Sequence, residues 1–100
     1  MIVVIGEAAL DDMLHIGLSI KQDNPARAAS FVDELYQLCQ ETGFMPQAFP
    51  LLGSHEASGI RRRVHGSYLI FYSIGPEAVE ILRVLHGARE YEQILFPEEG

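Results

Sequence analysis

Between Ile60 and Arg89 the chain reads IRRRVHGSYLIFYSIGPEAVEILRVLHGAR, and no other stretch limits the fold as tightly. Three runs of strand character are separated by two short turns. Arg61–His65 is the first run. Gly66-Ser67 follows with glycine leading, the order that a type II′ hairpin takes. Tyr68–Ile74 is apolar on both faces, as in a central strand covered on one side and half-covered on the other. Gly75-Pro76-Glu77 is the next turn. Ala78–Leu85 then alternates, sending Val79, Ile81, Arg83 and Leu85 one way and Glu80, Leu82, Val84 and His86 the other. Arg83 is the polar member of an apolar row and calls for a specific partner. Glu80 and Glu92 are the structural candidates.

The chain before this meander supplies its packing. Ile2–Ile5 is a short β-branched run and reads as a first strand. A helix is predicted from Glu7 to about Gln22, with Leu10, Met13, Leu14, Gly17 and Leu18 as its buried stripe and Asp11, Asp12, His15 and Ser19 largely on the solvent side. Gly17 within it suits close approach of a neighbouring helix. Asn24-Pro25 starts a second helix, Asn24 as N-cap and Pro25 where no amide bond is lost. It runs to about Thr42, with Gly43 as its stop and a stripe of Ala28, Phe31, Val32, Leu35, Leu38 and Cys39. The short link makes the two helices an antiparallel hairpin. Residues Phe44 to Gly59 lack a period and read as a loop packed on the core. Ala88 to Phe96 reads as one or two helical turns or a fourth meander strand, and Pro97–Gly100 as a frayed tail. The order β-α-α-β-β-β implies one α+β domain over residues 1–100, an α-hairpin on one face of an antiparallel sheet. The opposite face is expected to be open, with the arginines on it or at its rim.

Composition excludes several classes. A hydrophobic fraction of 48% is too high for wholesale disorder, and no apolar run reaches the ~18 residues of a membrane span. MIVVIGEAAL lacks the basic and long apolar regions of a secretory signal. The single cysteine, Cys39, forms no internal disulfide and gives no metal-ligand spacing, so no metal or cofactor is expected and the cytoplasm is the default compartment. Fourteen acids against seven bases give a net charge of −7, which argues against a general nucleic-acid binder. Residues 1–50 hold seven acids and two bases, and residues 51–100 seven acids and five bases: Arg61, Arg62, Arg63, Arg83 and Arg89. A local positive patch is compatible with that balance.

Three segments, QDNPARAASFVDEL, GIRRRVHGSYLIFY and VEILRVLHGARE, resemble the ParE branch of the RelE/ParE toxin superfamily, in the same element order over almost the whole chain. The resemblance implies a small cytoplasmic toxin of a type II toxin–antitoxin module, neutralised by a cognate antitoxin. ParE-like members are associated with poisoning DNA gyrase, and RelE-like members are ribosome-dependent mRNA endonucleases. The chain departs from the pattern in its acidity, in the scarcity of bases between Phe44 and Gly59, and in having Gly6 where a Ser or Thr cap is common. The first two departures weigh against the nuclease.

Two main readings and a third follow. In the first, the protein inhibits gyrase by protein–protein contact, has no catalytic residues, and uses Arg61, Arg63, Arg83, His86 and Arg89 to bind its target. It makes no sequence-specific nucleic-acid contact of its own. In the second, it cleaves mRNA, with Arg61 on phosphate, Arg83 neutralising developing charge, His86 as acid or base and Tyr91 as a remote stacking candidate. In the third, toxicity is lost and a binding module remains. Each cation also has a bland reading: Arg61 and Arg63 as charge protecting an edge strand or pairing with the antitoxin, Arg83 in a structural ion pair, His86 satisfied at a strand end. Cys39 reads as core, and His15, His55 and His65 are scattered.

Overall fold

In the computed structural model, which describes residues 1–98, strand β1 (Ile2–Ile5) leads into helices α1 (Glu7–Lys21) and α2 (Pro25–Glu41). A single 3-10 turn (Glu56–Ser58) precedes strands β2 (Arg61–His65), β3 (Tyr68–Ile74) and β4 (Ala78–His86), and helix α3 (Tyr91–Leu95) closes the chain. The α+β order and the α-hairpin are as expected. The tail expectation falls partly on Glu99 and Gly100, outside the described residues.

The sheet order is β1-β4-β3-β2. The three meander strands are antiparallel, with Arg61 opposite Tyr72 and Tyr68 opposite His86. β1 joins parallel to β4, Ile2 opposite Ala78 and Ile5 opposite Ile81. The antiparallel sheet read from the sequence is therefore the meander alone. β1 departs from it because the whole α-hairpin and meander separate it from its partner, and a crossover of that length permits parallel pairing. Gly66 has φ 59° while Ser67 stays at negative φ, the combination of a type II′ turn.

The start of α2 forms as its residues dictate. The Asn24 side chain accepts from the Arg27 amide at 3.0 Å, and Pro25 opens the first turn. α1 lacks a side-chain cap, and its N-cap residue Gly6 instead donates its amide to the Ile81 carbonyl at 2.9 Å, extending the β1–β4 pairing into the helix start. At Gly17 a Cβ would sit 3.0 Å from Cγ2 of Val32, so this glycine sets how closely the two helices approach.

Two cores flank the sheet. On the helical face Ala9, Met13, Ile16, Phe31, Leu35 and Cys39 meet Ile70, Tyr72, Val79, Ile81 and Val84. On the other face Leu69, Phe71 and Leu85 are covered by Leu52, Ile60, the apolar side of α3 with Tyr91, Ile94 and Leu95, and Phe96 just beyond it. The expectation of an open second face is thereby corrected: β3 is apolar on both faces, and each face found a cover. His55 fastens α3 from the loop, bonding Glu92 at 2.9 Å and stacking on Phe96.

α1 is rotated from its expected orientation. Its buried residues are Ala9, Asp12, Met13 and Ile16, whereas Leu10, Leu14 and Leu18 are each half-exposed. Helix α2 buries Ala28, Phe31, Leu35 and Cys39, as its pattern required. The alternation of β4 also breaks. Ile81 pairs with Tyr72 and Arg83 with Phe71, so Leu82 is an extra residue. This bulge ends the row Val79–Ile81–Arg83–Leu85, because one inserted residue shifts every later side chain to the other face. Val84 thus joins the helical core and Leu85 the second one.

Candidate functional site

β1 ends at Ile5, opposite Ile81, while β4 continues to His86. The β4 edge beyond Ile81 has lost its strand partner, and a buried amide without an acceptor costs about 1–3 kcal/mol. Asp12 of α1 fills the gap. Its Oδ2 accepts from the Val84 amide at 2.9 Å and from Arg83 Nε at 2.7 Å, and its Oδ1 accepts from Arg83 Nη2 at 2.7 Å. Arg83 therefore does have a specific acidic partner, and it is neither Glu80 nor Glu92. The Asp12 carboxylate raises the Arg83 guanidinium further above its ordinary value. This ion pair also explains the rotation of α1, which must turn Asp12 inward to reach β4.

Beside the pair lies a cleft of about 540 Å³ between α1 and the end of β4, whose polar lining includes Asp11, His15, Ser19, Tyr68, His86 and Arg89. Backbone groups engage Nδ1 of both histidines, in opposite senses. His15 Nδ1 donates to the Asp11 carbonyl at 2.9 Å. His86 Nδ1 accepts from the Ala88 amide at 3.0 Å, which turns Nε2 toward the cleft as the ring's donor. Tyr68 meets His86 edge-on at 5.2 Å. Among the described residues, the Arg89 guanidinium and His86 Nε2 have no protein partner.

Arg61 and Arg63 are elsewhere. They lie on β2, the edge strand opposite β1, and are spent on backbone carbonyls. Arg61 donates to Phe49 O at 2.7 Å and to Gln47 O at 3.4 Å. Arg63 donates to Leu38 O at 3.2 Å and lies 4.7 Å over the Phe49 ring. Tyr72 adds a 2.6 Å bond to Pro46 O, and burial pushes its phenol up from the ordinary value. The Met1 ammonium donates to Gly43 O at 2.7 Å. Met1, Arg61 and Tyr72 thereby pin the loop after α2, while Arg63 bonds α2 itself and covers the loop's Phe49. Further along α2, Arg27 pairs with Glu34, which also accepts from His65 at 3.2 Å. The Arg27 bond, with His65 helping, holds the Glu34 carboxyl below its usual range.

The five expected site cations thus fall into two groups. Arg83, His86 and Arg89 share the cleft, while Arg61 and Arg63 serve the loop, so a single cluster at one end of the sheet is not what forms. Tyr91 packs against Phe71 at 5.1 Å as part of the second core. The sequence reading missed Asp12 and His15, which it placed on the solvent face of α1. It also missed Phe44 and Met45, which it assigned to a packed loop and which project into solvent, 84% and 70% exposed. The signal available for Asp12 was Arg83 itself, a strand arginine in need of an acid. Among the described residues there is no group of three or more His, Cys, Asp or Glu side chains that could hold a metal, and no helix is long and apolar enough to cross a membrane.

Compared with known proteins, residues 3–91 match the family model described as the ParE toxin of the type II toxin–antitoxin system parDE. No curated protein sequence matches the chain. Among solved structures, the chromosomal ParDE toxin–antitoxin system from P. aeruginosa superimposes with a TM-score of 0.75 at 14% identity, over 86% of this chain and 95% of that one. The toxin–antitoxin complex RelBE2 from Mycobacterium tuberculosis gives a TM-score of 0.53 at 24% identity, over 85% of this chain and 95% of that one. At these identities the likeness establishes the fold, a sheet backed by an α-hairpin.

Proposed function

This chain belongs to the ParE family of type II toxin–antitoxin toxins, and on that footing we propose that it acts by binding a protein target, DNA gyrase, and is neutralised by a cognate antitoxin. The observation that carries a binding mode over cleavage is the commitment of Arg83. A nuclease would need that guanidinium free to meet charge building on a phosphate, yet its fork is closed on Asp12 by two 2.7 Å bonds. Arg61, the second cation of a nuclease, is bonded to loop carbonyls on the far edge strand. Of the five cations read from the sequence, His86 and Arg89 are the two free to contact a target. Arg61, Arg63 and Arg83 hold the fold.

The antitoxin reading draws support from α1. Leu10, Leu14 and Leu18 recur every four residues and stay half-exposed. Leu14 and Leu18 border a groove floored by Gly17, Ala28, Ala29 and Val32. Small residues on the floor leave room for one amphipathic helix laid between α1 and α2. The test uses purified protein with gyrase and relaxed plasmid. Loss of supercoiling with accumulation of cleaved DNA, reversed by the antitoxin encoded alongside, is the expected result. Intact gyrase activity together with cleaved mRNA on ribosomes would refute the reading.

A further inference from the structure

β4 outruns β1, and the backbone groups at its free end are not left at random. In an antiparallel ladder the amide and carbonyl of one residue point the same way, and successive residues alternate. Gly87 donates to Ser67 O at 2.8 Å across the hairpin. Leu85 and Gly87 therefore turn their backbone groups toward β3, and Val84 and His86 turn theirs to the side that β1 has left. Four groups face that side beyond Ile81. The Val84 amide is taken by Asp12 at 2.9 Å, and the His86 carbonyl by the Arg89 amide at 3.1 Å. The Val84 carbonyl and the His86 amide remain, and among the described residues neither has a partner. Both residues line the cleft between α1 and the end of β4.

This remainder is selective. An antiparallel strand would use both groups of Val84 or both groups of His86, and in each residue one is committed. A parallel strand instead bonds a carbonyl and the amide two residues further on, both through a single residue opposite the one between. The spare pair is of that kind, with Leu85 in the middle, so the slot takes an extended segment running the same way as β1. The next residue of such a segment would turn its side chain to the face that carries His86, since strand neighbours in register share a face. There the His86 Nε2 donor and the Arg89 guanidinium stand free. The acids of α1 do not answer them: Asp12 is closed on Arg83, and Asp11 acts on Arg83 as well. A carboxylate on the segment would answer both. The cleft also lies along the same helix as the groove of Leu14 and Leu18, so one chain can lay a helix in the groove and carry its extended continuation into the cleft.

We propose that this slot receives an extended, acidic segment of the antitoxin. The segment adds a short parallel strand where β1 stops, bonds the Val84 carbonyl and the His86 amide through one residue, and sets an Asp or Glu at the next position on Arg89 and His86 Nε2. The proposal rests on the antitoxin reading and specifies it: the two cations left free for the target are the two that the antitoxin covers.

The experiment compares the free protein with its complex with the antitoxin encoded alongside, by residue-resolved amide exchange and by the affinity of variants. The unbonded His86 amide should exchange fast in the free protein and at least about tenfold more slowly in the complex. His86 and Arg89 are exposed, so His86→Gln and Arg89→Gln should melt close to the wild type, and Arg89→Gln should bind the antitoxin about tenfold more weakly. Among single Asp→Asn and Glu→Gln changes along the antitoxin, one should cost the wild type about as much and cost Arg89→Gln nothing further, a coupling that a general charge effect would not show. A His86 amide still unprotected in a complex that Leu14→Lys weakens would overturn the proposal alone. So would additive costs for every acid of the antitoxin. Protection that appears in the free protein and rises with its concentration would put a second copy in the slot and overturn it too. A toxin that forms no complex with that antitoxin would overturn the antitoxin reading and this proposal with it.

Discussion

Replacing Asp12 by alanine tests the contact that fixes both α1 and the end of β4. The side chains of Asp12 and Arg83 are 10% and 27% exposed, so the pair is largely withdrawn from water. Breaking a buried ion pair from one side costs about 3–5 kcal/mol, most of it the charge left behind. Water can reach part of the Arg83 guanidinium, which recovers some of that. The Val84 amide, left without an acceptor, adds about 1–3 kcal/mol. Because both losses stem from one carboxylate, they overlap, and a total of about 3–4 kcal/mol is expected. Against a domain stability of about 5–15 kcal/mol, with about 4–8 °C of melting temperature lost per kcal/mol at this size, the variant should melt roughly 15–25 °C lower. Urea denaturation followed by circular dichroism gives the free energy directly. Asp12→Asn keeps an acceptor for Val84 and should fall between. Arg83→Met leaves Asp12 on the Val84 amide and should cost less than Asp12→Ala. An Asp12→Ala protein within about 1 kcal/mol of wild type would refute the reasoning, since the carboxylate would then hold neither group. Arg83→Met that folds and remains fully toxic would remove Arg83 from the toxic mechanism, as its structural commitment requires.

Two further outcomes follow from the same packing. Burial raises the Cys39 thiol from 9.0 to about 11, so the fold favours the protonated form. That contribution is complete below pH 9 and is lost as pH rises through 11, with the buried Tyr72 phenol adding in the same direction. Urea midpoints from pH 8 to 11 should fall, and less steeply in Cys39→Ala, while native Cys39 should resist alkylation at pH 8; rapid labelling of folded protein would contradict its burial. On α1, Leu14→Lys and Leu18→Lys should leave the unfolding free energy within about 0.5 kcal/mol of wild type yet weaken the antitoxin complex, read by co-purification; an undiminished complex would place the antitoxin elsewhere.

Where sequence and structure agree, one local signal had no competitor. Asn24-Pro25 can start a helix and little else, and the apolar stripe of α2 has a single face. Gly66-Ser67 likewise admits one tight turn between Arg61–His65 and Tyr68–Ile74. The disagreements arise where two local answers were equally good. α1 carries two apolar stripes at helical spacing that share Met13, the expected Leu10-Met13-Leu14-Gly17-Leu18 and the observed Ala9-Met13-Ile16. Leucine outweighs alanine on any hydrophobicity scale, so the first looked like the buried one. The choice was made by an acid seventy-one residues from its partner. Arg83 needs a carboxylate, Val84 needs an acceptor, and Asp12 meets both only if the leucines turn outward. The bulge at Leu82 was hidden for a related reason: alternation is a rule of intact ladders, and this ladder changes register where β1 has stopped and Asp12 takes over its hydrogen bonding. The two errors are one event, and it has a functional consequence. A side chain that replaces a missing strand frees an apolar helix face for a partner, so the contact that stabilises the isolated fold is also what leaves the leucine stripe uncovered. In Asp12→Ala that coupling is broken, and α1 is free to return Leu10 and Leu14 toward the sheet; antitoxin affinity should then fall together with stability, whereas Arg83→Met, which keeps Asp12 on Val84, should lower stability and spare the affinity.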